Sequence, residues 1–96
     1  MPSTPYVYQC PVFEDWHDPL FVRRELFIRS QYRINDLLEA QRSDDPTVAL
    51  PAQGEIIDIA RAVFKLPPID SFGNGVPDEQ ALAVLDHFLR WQEGKA

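Results

Sequence analysis

Val76-Pro77-Asp78-Glu79-Gln80-Ala81-Leu82-Ala83-Val84-Leu85-Asp86-His87-Phe88-Leu89-Arg90-Trp91-Gln92-Glu93-Gly94 is the stretch on which the fold reading turns. Ala81, Leu82, Val84, Leu85, Phe88, Leu89 and Trp91 recur at spacings of three and four, the period of one helix face. Pro77 suits a first helical turn, because the N–H it lacks has no partner there. Asp78 and Glu79 complement the positive helix end. Arg90 and then Gly94 mark the stop. The spacing predicts a helix over 77–93 with an apolar face wider than a small domain needs. Such a face belongs to a protein that works by contact.

Two further helices are expected upstream. One runs over 30–42, from Ser30 as a plausible N-cap, with Ile34, Leu37, Leu38 and Gln41 on one face. Ser43-Asp44-Asp45-Pro46 ends it. The other covers 51–65, opening at Pro51 and carrying Ile56, Ile57, Ile59, Ala60, Val63 and Phe64 until Pro67-Pro68. Residues 6–27 read as extended. Tyr6-Val7-Tyr8-Gln9-Cys10 and Leu20-Phe21-Val22 suit a pleated surface, and Glu14 to Pro19 forms a polar turn between them. The expected fold is a single α+β domain over 1–96, mainly helical. An N-terminal β-hairpin precedes three amphipathic helices packed as a small bundle. Its centre is expected at Leu37, Leu38, Ile56, Ile59, Val63, Leu82, Leu85 and Leu89.

At 96 residues and 45% hydrophobic, the chain has the size and composition of one globular domain. A net charge of −6 opposes broad attraction to nucleic acid or to anionic membranes. The charge is uneven. Arg23, Arg24, Arg29 and Arg33 cluster with only Glu25 against them, whereas acidic residues dominate from Ser43 onward. Arginine without lysine, beside Phe21, Phe27 and Tyr32, fits a protein interface better than a phosphate backbone. Solvated faces also produce such asymmetry. Cys10 is the only cysteine, so no internal disulfide is expected and a reducing compartment fits. Met1-Pro2-Ser3-Thr4-Pro5 shows no basic start or apolar run, and no stretch approaches a membrane span.

Chemistry-bearing patterns are weak. Cys10, His17 and His87 show no metal-ligand spacing, so no metal is expected. Asp70, Ser71 and His87 are the letters of a triad without its context. Gly73-Asn74-Gly75 is a turn, and Pro77-Asp78-Glu79 after it would repel phosphate. Asp78 and Glu79 are explained by capping. No catalytic residue and no cofactor is expected. Phe21, Arg23, Arg24, Phe72, Phe88 and Trp91 form the expected partner-binding set, although aromatic residues in small domains also complete the core.

The order of parts carries a resemblance. Phe21-Val22-Arg23-Arg24-Glu25-Leu26 leads into a helix with Ile34 and Leu37-Leu38. Ile56-Ile57-Asp58-Ile59-Ala60-Arg61-Ala62-Val63-Phe64 then ends at Leu66-Pro67. Val76-Pro77-Asp78-Glu79-Gln80-Ala81 opens the last helix and Phe88-Leu89-Arg90-Trp91 closes it. In this pattern the chain resembles, over most of its length, the small tail assembly proteins (tail assembly chaperones) of tailed bacteriophages. The resemblance implies non-enzymatic binding to apolar segments of the tape measure or other tail proteins. It transfers no functional residues, because none is tied to a motif here. The expectation is therefore a tail component, either structural subunit or assembly factor. Its partners would be other tail or baseplate proteins, or copies of itself, with no nucleic acid and no membrane. It would act in the cytoplasm of the producing cell or be incorporated in the virion. The alternative is a small acidic regulatory protein that inhibits a host enzyme or polymerase.

Overall fold

In the computed structural model, residues 13–95 are described. A 3-10 turn, Phe13–Asp15, precedes three helices: α1 (Arg24–Gln41), α2 (Pro46–Phe64) and α3 (Asp78–Lys95). No strand occurs among the described residues.

The expected N-terminal hairpin is therefore corrected. Its first arm, residues 6–10, lies outside the described residues. Its second arm, Leu20-Phe21-Val22, is a turn closed on Asp18, whose carboxylate accepts the Leu20 N–H at 2.9 Å. The Asp18 carbonyl accepts the N–H groups of Phe21 and Val22 at 3.0 and 3.1 Å. Local Asp18 bonds thus satisfy donors that a ladder would have used. The mainly helical reading stands, and the class is all-helical across the described residues rather than α+β.

α1 opens at Arg24, six residues before Ser30, which is an interior position. No side chain caps it. Its start is fixed by tertiary contact: the Arg23 N–H donates to the Val63 carbonyl at 2.8 Å, and Val22 is buried. Phe27, Ile34 and Leu37 form its inner stripe. α2 opens at Pro46 rather than Pro51, with Asp45 as N-cap. The Asp45 Oδ1 accepts the Thr47 N–H at 3.0 Å and the Thr47 hydroxyl at 2.8 Å. Pro51 stands inside the helix with its ring exposed. α2 closes on Lys65, which adopts the left-handed conformation (φ 55°) that ends many helices.

α1 runs antiparallel to α2, since Arg23 meets Val63 at one end and Arg33 pairs with Glu55 further along. α3 lies across the C-terminal half of α2: Asp78 bonds Arg61, and Phe88, roughly 15 Å further along α3, packs on Phe64. The connection between them is tightly folded. The Val76 N–H donates to the Pro67 carbonyl at 2.8 Å. Gly75, at φ 129°, runs so close to Pro68 that a Cβ there would stand 2.3 Å from its carbonyl oxygen.

Phe88 is the hub of the core, with no exposed surface. Its ring lies 4.9 Å from Phe27 of α1, 5.2 Å from Phe64 of α2 and 5.2 Å from Phe13, each edge-on. Every described element thus gives one ring to a single cluster. Of the expected centre, Leu37, Ile56, Val63 and Leu85 are buried, while Leu38, Ile59, Leu82 and Leu89 pack partly exposed around it.

Candidate functional site

Asp18 organises the turn before α1, and that turn sorts its side chains. Val22 enters the core, whereas Leu20 and Phe21 point outward with 74% and 45% of their surface exposed. The turn is held at both ends. The Lys65 Nζ donates to the Pro19 carbonyl, and the Arg23 N–H is bound to Val63. Exposed apolar side chains are thereby presented on a fixed backbone.

Arg24 is positioned by two neighbours. Its guanidinium carbon stands 5.1 Å from the centre of the Trp16 ring, a cation–π arrangement. Its Nη1 donates to the His17 Nδ1 at 3.0 Å, which places the ring proton of neutral His17 on Nε2. Arg23 and Arg29 are exposed beside it, and no ion pair engages either among the described residues. Ile28 is exposed one turn along α1, and Tyr32 another turn on. A shallow groove of about 820 Å³ follows this face, lined by Pro19, Val22, Leu26 and Ile28 and edged by Arg23, Arg24 and Arg29, with Glu25 the one carboxylate among three guanidinium groups. Apolar floor and guanidinium rim together suit a protein segment carrying carboxylates around an apolar anchor.

The expected contact residues divide. Arg23 and Arg24 come together at this groove, and Phe21 is exposed on the turn before it, outside its lining. Phe72 projects from the loop between α2 and α3, with 82% of its surface exposed. That loop is braced by its own hydrogen bonds: the Asp70 Oδ1 accepts the N–H groups of Phe72 and Asn74 at 2.9 and 3.0 Å, and the Asp70 N–H donates to the Asn74 carbonyl. Phe88 is a core residue, and its surface is closed to any partner of the folded chain. Trp91 is half-buried and stacks on Phe88 at 5.6 Å. Sequence reasoning missed Leu20 and Ile28. Ile28 and Tyr32 share an i, i+4 row off the Phe27–Ile34–Leu37 stripe, a signal visible only once α1 is started at Arg24.

A second, smaller groove of about 400 Å³ lies between α1 and α3, with Leu38, Leu82 and Leu89 in its walls. Its charges alternate in sign (Arg42, Asp86, Arg90, Glu93), so it offers no single complement. Among the described residues, no group of three or more His, Cys, Asp or Glu side chains gathers as a metal would require. His87 packs its ring on Phe13 at 5.4 Å. No helix among the described residues is long and apolar enough to cross a membrane.

Comparison with protein-family models, with curated proteins and with solved structures finds no match to this chain.

Proposed function

We propose that this protein acts by contact, without catalysis, as a bacteriophage tail component: a structural subunit or an assembly factor. The observation that carries the contact reading is the face at the start of α1. There Leu20, Phe21 and Ile28 lie exposed beside Arg23, Arg24 and Arg29 on a backbone fixed to α2. Exposed apolar side chains ringed by arginine are the composition of an interface core with its rim. The tail assignment adds the pattern resemblance of the sequence to that face. On this reading the partners are other tail or baseplate proteins, met in the cytoplasm of the producing cell, and neither nucleic acid nor membrane is bound.

The test is affinity purification of the tagged protein from its native producing cells, followed by mass spectrometry. Tail or baseplate proteins in stoichiometric amount are expected with the native chain. They should be lost with the double variant R23E/R24E while its far-UV circular dichroism stays unchanged. A single host enzyme in their place would retire the tail reading in favour of an inhibitor. Unimpaired capture by R23E/R24E would remove the arginine face from the mechanism.

A further inference from the structure

The loop carrying Phe72 is the chemical complement of the groove at α1. Ile69 and Phe72 are both exposed on it, half and more of their surface facing outward. Exposed carboxylates adjoin Ile69, where Asp58 of α2 and Glu79 of α3 line the same shallow recess, and Asp70 follows on the loop, its Oδ1 accepting the Phe72 and Asn74 N–H groups. The nearby guanidinium, Arg61, is mostly buried and already bonded to Asp78 and to the Pro67 carbonyl. The loop is thus an apolar knob in an acidic collar. The groove is an apolar trough with an arginine rim.

Both features flank the C-terminal end of α2. Arg23, in the groove, is bonded to Val63, and the knob loop springs from Leu66 and Pro67 just beyond it in the chain. We propose that the groove's occupant is a second copy of this chain, joined through two equivalent Phe72-in-groove contacts. The self-complementarity is what an isologous interface requires: one patch meeting itself with its parts exchanged. The arginines and carboxylates then pair across the rim, where they set register and steer encounter.

The size of the contact fits a reversible dimer. Leu20, Phe21, Ile28, Ile69 and Phe72 offer about 100 Å² each, so the apolar part supplies about 500 Å² per copy. With the charged rim added, the total falls at the small end of specific interfaces. The inference rests on the contact reading above and names a partner for the same face.

The experiment is sedimentation equilibrium of the purified full-length chain across a wide concentration range, with F72A and R23E/R24E beside it. Far-UV circular dichroism confirms that each variant is folded. The native chain should pass from monomer to dimer as concentration rises. Each variant should raise the dissociation constant by about tenfold or more, the loss expected of an anchor residue. A native chain that stays monomeric, or a dimer insensitive to either variant, would overturn the proposal. A monomer that still captures tail proteins leaves the functional reading standing, whereas a dimer that captures none removes that reading and keeps this one.

Discussion

Phe88 touches five other rings at 4.9 to 5.8 Å, whereas Phe72 has most of its surface in open solvent. The contrast gives a direct prediction. F88A removes a buried ring whose cavity cannot collapse without moving four elements, and should cost about 3–5 kcal/mol in denaturant unfolding. F72A should change stability by no more than about 0.5 kcal/mol in the same measurement. Both residues looked alike in the sequence, as aromatics left over from a leucine-based centre. Local pattern does not tell a ring that closes a core from one that stands outside it. That depends on where α3 crosses α2, and the crossing is set by contacts distant in sequence, Arg61 with Asp78 and Phe64 with Phe88.

At the scale of elements, what was legible follows what local chemistry decides. The α3 start and the α2 end were readable because Pro77 with Asp78 and Glu79, and Pro67 with Pro68, act within a single turn. The α1 start was not, since Arg23 has no capping side-chain bond and is held instead by Val63, forty residues away. The α2 start was misplaced because two prolines competed. Pro46 takes the first turn behind Asp45, and Pro51 is tolerated in the second turn, where its ring meets solvent. The hairpin failed for a related reason: three strand-forming residues, Leu20 to Val22, weigh less than an Asp18 carboxylate able to close a turn.

The Asp45 cap also makes α2 sensitive to acid. The Thr47 hydroxyl, and then the Thr47 backbone N–H, donate to its carboxylate and hold it below the ordinary value of 3.8. A carboxyl depressed by folding stabilises the native state above its unfolded value and loses that contribution as pH falls through the folded one. Thermal unfolding from about pH 6 to about pH 2 should therefore show the native chain above D45N and D45A at the upper end. D45N should lose less than D45A, since asparagine still caps. The gap between the native chain and D45N should close toward the acid end. A gap constant with pH would show that the carboxylate charge is not what stabilises the α2 start.

For the whole molecule, one cluster joins every described element. The 3-10 turn gives Phe13, α1 gives Phe27, α2 gives Phe64 and α3 gives Phe88. No helix has a core of its own to fall back on. Far-UV circular dichroism, which follows helix, and near-UV circular dichroism, which follows aromatic packing, should give superimposable unfolding transitions. Transitions separated in denaturant concentration would mean that α1 and α2 hold together after α3 has left. The candidate site was legible in part for the same whole-molecule reason. The arginines of the α1 start could be named from composition, but their company of Leu20 and Ile28 appears only when the turn and helix are assembled.

The packing of Arg24 over Trp16 has one more consequence. A positive charge standing over an indole alters the energy of its excited state. Anything that draws the guanidinium away, such as a carboxylate arriving at the groove, alters the light the indole emits. Trp91, stacked on Phe88, emits as well, so the signal from Trp16 is read as a change on top of it. The protein thus carries its own optical reporter at the face where contact is proposed. Occupancy of that face can be followed by emission, with no label attached and no residue changed.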